Sequence, residues 1–146
     1  MKRTHIHVGV SDLTAAITRY SALFGAAPVL VKDDYAKWLL DDPQLNFAIT
    51  TRDGKPGEIS HLGIQLDSEE ELDALAAGLR DVDAPLSADR DAHCCYAKSD
   101  KEWTVDADGI AWELFVTHEQ DESFGEDRAP RAAGPKNGET AKVCCG

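Results

Sequence analysis

The feature that most constrains this 146-residue chain is a pattern that runs through it twice. Near the start, Ile6, Val8 and Val10 alternate with His5, His7 and Gly9, the period of a strand. Ser11 or Asp12 then opens a helix whose apolar residues Leu13, Ala16, Ile17, Tyr20, Leu23 and Phe24 recur near every 3.6 positions, and Gly25 suits its stop. Strand-like runs at 28–31, 35–40 and 45–50 follow, punctuated by Lys32-Asp33-Asp34 and Asp41-Asp42-Pro43. The order then restarts. Residues 59–66 read as a strand, and Ser68 with Glu71 forms a capping box before Leu72, Leu75, Ala76, Leu79 and Val82 at helical spacing. Strands at 85–88, 95–98, 103–105 and 110–117 complete the pass, the last two joined by a hairpin turn at Asp108-Gly109.

Laying His5 over His61 puts Ile6 over Leu62, Val8 over Ile64 and Val10 over Leu66. The expected fold is therefore α+β, with two tandem βαβββ modules at about 3–51 and 59–117 pairing into a cupped half-barrel sheet. From His118 the composition turns to mixed charge with recurring Gly and Pro, which predicts a folded unit of 1–117 and a flexible tail over 118–146. With 42% hydrophobic residues the chain can build a real core.

Charge and cysteine usage narrow the function classes. A net charge of −12 repels phosphate backbones and anionic lipid surfaces, so neither nucleic acid nor membrane is an expected partner. No run reaches the ~18 apolar residues of a spanning helix, and Met1-Lys2-Arg3 leads directly into a strand, so the expected location is the cytoplasm. The four cysteines stand as two adjacent pairs, Cys94-Cys95 and Cys144-Cys145, and bridging neighbours strains the intervening peptide. Reduced thiols are the expectation.

Two sets of residues could carry chemistry. His5 and His61 open equivalent strands and Glu113 lies in the closing strand. Brought together in a cup, they would make a facial triad of two imidazoles and one carboxylate, suited to Fe(II) with positions left open. Each also has a bland reading, as a hydrogen-bonded strand histidine or a solvated carboxylate. His7, two residues from His5, faces the same way and is either a neighbour of the site or a ligand itself. Asn46 stands near the place in the first module that corresponds to Glu113. Cys94 and Cys95 cannot face the same way within a regular strand, so acting as a pair requires a loop or a strand end. Neighbouring thiolates suit thiophilic ions such as trivalent arsenic or cadmium, and His93 beside them could lower a thiol pKa. Buried free cysteines also pack as small apolar residues, a reading that fits Cys144-Cys145 less well because the tail has no core. Tyr96, Trp103 and Trp112 are expected to flank the site.

Together, the runs His5 to Leu13, Tyr20 to Gly25, His61-Leu62-Gly63 and Asp106 to Leu114 resemble the vicinal oxygen chelate superfamily of glyoxalases, extradiol dioxygenases and bleomycin resistance proteins. The stretch Cys94 to Trp103 followed by Trp112-Glu113 is similar to the ArsI/CadI group, which contains carbon–arsenic lyases and cadmium-induced proteins. The resemblance implies Fe(2+) held by His5, His61 and Glu113, and arsenic held by Cys94 and Cys95. It implies oxidative cleavage, with dioxygen, of trivalent organoarsenicals to arsenite. Lys101 falls in a segment that the resemblance associates with a mobile substrate loop. Competing readings are a cadmium- or arsenite-binding resistance protein without turnover, a glyoxalase-like metalloenzyme, and a metal-free drug-binding protein. The two modules form one cup within a chain or exchange between the chains of a homodimer.

Overall fold

A computed structural model describes residues 1–52, 55–120, 122, 125, 128–130 and 143–144. The first module consists of β1 (Arg3–Gly9), α1 (Leu13–Phe24), β2 (Leu30–Val31), β3 (Tyr35–Asp41) and β4 (Gln44–Thr50). The second repeats the order with β5 (Ile59–Leu66), α2 (Glu69–Asp81), β6 (Ser87–Cys94), β7 (Ala97–Val105) and β8 (Ala111–Gln120). Both helices begin as their sequences predict. Asp12 accepts from the Ala15 amide and Ser68 from the Glu71 amide, each capping a free donor of the first turn. Gly25 ends α1 in the left-handed conformation at φ 62°, where a side chain would be strained.

All eight strands join one curled sheet in the order β2-β3-β4-β1-β5-β8-β7-β6. The modules meet where β1 and β5 pair antiparallel, His7 opposite His61 and His5 opposite Gly63, so the cup forms within one chain. Each module also carries one parallel pair, β1 with β4 and β5 with β8, which its helix spans as a crossover.

Alternation divides the strands between two faces. Ile6, Val8, Trp38, Phe47 and Ile49 pack with Leu13, Ile17, Tyr20 and Phe24 of α1. Leu66, Leu114 and Val116 pack with Leu72, Leu75 and Leu79 of α2. At roughly 25 cal/mol per Å2 of apolar surface removed from water, these two helix-backed clusters are the main stabilising mass of the domain. The opposite, concave face is unusually polar for a buried surface: His5, His7, Lys37, Asn46, His61, Ser99, Lys101 and Glu113 are all buried there.

The strands of the second module depart from the sequence reading. Of the expected strands 95–98 and 103–105, residues 97–98 and 103–105 belong to one long strand, β7, whose ladder to β8 shifts register between Lys98 and Ser99, while Cys95 and Tyr96 form the turn before it. Strand β6 runs on to Cys94 beyond the expected 85–88. The apolar alternation is missing there because the inward positions Ser99 and Lys101 are polar yet buried. In the first module, β2 is shorter than the expected 28–31. The closing strand reaches Gln120, past the expected boundary at 117, because Glu119 pairs with Lys98 in the ladder and in a 2.5 Å ion pair. Of the remaining tail, Arg128–Ala129 (β9) pairs with Val143–Cys144 (β10), and Gly125 bridges to Cys94. The expected flexibility of the tail otherwise concerns residues outside those described, and so does Cys145.

Candidate metal centre and thiol pair

The pairing of β1 with β5 and of β5 with β8 brings the sequence-distant His5, His61 and Glu113 to one spot. His5 Nε2 lies 3.2 Å from His61 Nε2 and 3.6 Å from Glu113 Oε2, and His61 Nε2 lies 3.5 Å from the same oxygen. The point equidistant from these three atoms is about 2 Å from each, the length of a metal–nitrogen or metal–oxygen bond. Gly63, beside His61 and paired with Glu113, makes this approach possible, since a Cβ there would run into the Glu113 carbonyl.

The protonation states suit ligation. A backbone carbonyl can only accept, so the 3.1 Å contact of His5 Nδ1 with the Asn46 carbonyl puts the proton on Nδ1 and leaves the Nε2 lone pair facing the cluster. Burial is the main reason that the His5 pKa is pushed down to about 4, so the ring is neutral. On the other ring, His61 Nδ1 sits 3.2 Å from the Ser60 hydroxyl, which fixes the ring's orientation. Burial pushes the Glu113 carboxyl upward, but the Lys101 ammonium, a hydrogen bond from His61 and the two imidazoles outweigh it and hold the group well below the carboxylate range. Lys101 Nζ lies 2.7 Å from Glu113 Oε1.

His7 belongs to the same cluster. It is fully buried, its ring sits edge-on to His61 at 4.9 Å between centroids, and neither of its nitrogens has a hydrogen-bond partner. An imidazole with both nitrogens unsatisfied in a dry site is costly. Its burial also holds its pKa well below 6.5, which keeps a lone pair free. His5, His7 and His61 can each place a ring nitrogen within 4.8 Å of the others. The neutral His5 and His7 rings, the His61 ring, an ionised carboxylate and the unsatisfied His7 nitrogens around one point fit a divalent transition-metal ion.

The first module supplies no matching carboxylate. His7 and Gly63 are equivalent in the repeat, and their ladder partners are Ala48 and Glu113, so Glu113 corresponds to Ala48 and not to Asn46. The Asn46 amide is instead engaged by Gln65. Ala48 is fully buried against Tyr35 and Tyr96 and offers no ligand atom.

The thiols occupy the β6–β7 turn, as a strand-end reading requires. Cys94 pairs with Ala97, leaving Cys95 and Tyr96 as a two-residue loop with φ of 56° and 61°. Positive φ at both loop positions is the type I′ hairpin, normally built from Asn-Gly, and non-glycine residues there are strained by ~1–3 kcal/mol each. The strain sets the two sulfurs 3.1 Å apart, with Cys94 buried and Cys95 half-buried. Both line one small cavity, about 30 Å3, with His5, Glu113, Lys37 and Lys101. Tyr96 anchors the turn through a 2.6 Å hydrogen bond to Asp34, and burial, followed by that bond, pushes its hydroxyl up to about 12.

The aromatic residues divide between the faces. Trp103 stands edge-on to His61 at 5.2 Å, within the site. Trp112 points the other way, into an apolar cavity under α2, because it alternates with Glu113 along β8. His93 lies outside the cluster, although it is next in sequence to the thiols. The sequence marks Lys101 only by its place after the thiols, and Lys37 is a site residue that the motifs do not point to. A lysine at an inward strand position, between Tyr35 and Leu39, was the available signal.

Comparisons with known proteins agree with this architecture. Residues 2–114 match the family model described as Glyoxalase/Bleomycin resistance protein/Dioxygenase superfamily. A "Trivalent organoarsenical cleaving enzyme" of Bacillus sp. (strain MD1) is 40% identical over 99% of this chain and 91% of its own length. A "Cadmium-induced protein CadI" of Mycobacterium bovis is 34% identical over 99% of this chain and 93% of its own. Among solved structures, the Mn(II)-bound glyoxalase from Novosphingobium aromaticivorans superposes with a TM-score of 0.56 at 17% identity, covering 87% of this chain and 43% of that one, a likeness of fold. The repeat, the single curled sheet and these matches place the chain in the glyoxalase/bleomycin resistance protein/dioxygenase superfamily.

Proposed function

We propose that this chain cleaves the carbon–arsenic bond of trivalent organoarsenicals, with Fe(II) held by His5, His61 and Glu113 and dioxygen as co-substrate. The observation that carries the reading is the pair of sulfurs 3.1 Å apart opening on the cavity that His5 and Glu113 also line. The names carried by relatives at 40% and 34% identity support it. Two thiolates can occupy two valences of trivalent arsenic while its third bond stays with carbon, so the arsenical enters as a tethered reactant beside the cluster. Each S–As bond replaces an As–O bond, with the oxygen leaving as water. Ferrous iron at the cluster would supply the redox chemistry with dioxygen that breaking a carbon–arsenic bond demands. The protein does the rest. Lys101 balances the Glu113 charge, the Asn46 carbonyl and Ser60 orient the two imidazoles, and Trp103 walls the site against water. The active protein belongs in the reducing cytoplasm, where the thiols stay free.

The test is direct. Fe(II)-loaded protein with reduced thiols, under air, should convert trivalent methylarsenical to arsenite, and absence of turnover under those conditions refutes the reading. A second reading, sequestration of cadmium or arsenite through the thiols alone, is favoured by the CadI relative. It requires stoichiometric binding that survives loss of His61 and Glu113, with no product. The glyoxalase-like reading is weakened because the first module has Ala48 where a second carboxylate would stand.

A further inference from the structure

One charged side chain on the concave face has no role in the chemistry above. Lys37 of β3 is 8% exposed, points inward alongside Tyr35, and makes no hydrogen bond or ion pair with the described residues. Among the other described lysines, Lys32 is half-buried and stands over the Tyr96 ring. Lys2, Lys55, Lys98 and Lys101 each meet a carboxylate, as expected in a chain with 27 acidic and 15 basic residues. Keeping an ammonium buried without an ion-pair partner of its own is costly unless another anion compensates it. What Lys37 shares its cavity with is the thiol pair. Burial lowers its pKa, and the opposing influence comes from Cys95.

We infer that Lys37 is the counter-cation of the Cys94–Cys95 pair, a positioning residue that keeps the Cys95 sulfur ionised near neutral pH and ready to bond arsenic. The groups facing the pair are His5 from β1, Tyr35 and Lys37 from β3, Lys101 from β7 and Glu113 from β8. His93 of β6 and Tyr96 of the turn adjoin it in sequence, and Lys32 stands over the Tyr96 ring. Glu113 raises a thiol pKa, but Lys101 already balances it, and the Tyr96 hydroxyl is taken by Asp34. Lys37 shares the cavity with the sulfurs, has no carboxylate ion pair, and is the ammonium on which the Cys95 charge acts. In the exchange, the Cys95 thiolate donates its electron pair to arsenic and an arsenic–oxygen bond breaks. The departing hydroxide leaves as water with a solvent proton. Cys94 follows, and its own thiol proton leaves with the second hydroxide. No electrons are transferred.

The purpose of the device rests on the proposed arsenic chemistry, but its test does not, so the two can fail separately. In full-length, metal-free protein carrying Cys144→Ser and Cys145→Ser, the rate of iodoacetamide alkylation of the remaining pair is followed by mass spectrometry from pH 5.5 to 9.5. The expected midpoint lies below the ordinary thiol value of ~8.5. Lys37→Met should raise it by about one unit, seen as roughly tenfold slower alkylation at pH 7, and Lys37→Arg should keep it low. Lys37→Gln carries the test if the Met variant misfolds, with tryptophan fluorescence as the check on folding. An unchanged midpoint in the Met or Gln variant overturns the inference. So does an equal rise in the Arg variant, which assigns the effect to shape and not to charge.

Discussion

Replacing Lys101 with Met is the sharpest probe of how the site holds its charge. The ammonium lies 2.7 Å from Glu113 Oε1 and both side chains are almost fully buried. Met keeps the length of the stem, so packing against Trp103 is largely preserved and the loss is electrostatic. Removing one partner of a buried pair typically costs about 3–5 kcal/mol, because the remaining charge stays desolvated without its compensation. For a chain of this size 1 kcal/mol is worth ~3–4 °C, so metal-free Lys101→Met should melt about 10–20 °C below the parent. A divalent ion at His5, His61 and Glu113 brings its own positive charge to the same carboxylate. Adding Fe(II) or Mn(II) should therefore restore more stability to the variant than it adds to the parent. The double variant Lys101→Met with Glu113→Leu removes both charges, and its metal-free melting should return to within ~1–2 kcal/mol of the parent while its response to metal disappears. Thermal and urea unfolding by tryptophan fluorescence, with and without metal, read all of these. The reasoning is refuted if metal-free Lys101→Met melts within about 2 °C of the parent, or if the double variant is as unstable as the single one.

Other perturbations test neighbouring parts of the site. The neutral form of His5, with its pKa at about 4 against 6.5 for the free group, contributes stability that is complete above pH ~6.5 and is lost as the pH falls from there toward 4. His7 acts in the same direction, so the metal-free urea midpoint should fall between pH 7.5 and 5 with a slope of up to ~1.4 kcal/mol per unit for each imidazole; a flat profile contradicts this. Replacing His7 with Phe removes two unsatisfied buried nitrogens and should stabilise the metal-free protein by about 1–2 kcal/mol, with weaker metal binding by calorimetry if His7 is a ligand. Gly63→Ala drives a methyl into the Glu113 carbonyl, which should cost about 1–3 kcal/mol and weaken metal binding at least tenfold, whereas Gly78→Ala, inside α2 with open space around it, should leave metal binding unchanged and stabilise the protein by about 0.5–1 kcal/mol.

How far each element could be read in advance depended on what its inward face does. Where that face is backed by a helix, as at Ile6, Val8, Ile64 and Leu66, apolar alternation marks the strand and sets its register. Strands β6 and β7 carry no such mark, because Asp89, Arg90, Asp91, Ser99 and Lys101 interrupt the pattern. Those charges are held in place by partners far along the chain. Arg90, for example, reaches Glu102 at 2.8 Å on the helix side, and Lys101 reaches Glu113 on the other. The sequence reading placed Trp112 at the site and matched Asn46 to Glu113, and both needed the ladder register to correct.

By itself, the sequence determined the doubled βαβββ order, the helix caps, the thiol pair and the inward direction of His5 and His7. Each follows from local periodicity or from chemistry between near neighbours. Only the tertiary structure decided that the modules join through β1 and β5 in a single chain, and that His5, His61 and Glu113 come within 3.6 Å of one another. It also decided that Lys101 and Lys37 are buried ammonium groups with different companions. Strand pairing brings together residues more than a hundred positions apart in the chain, and a group's pKa, partner and accessibility are set by that pairing.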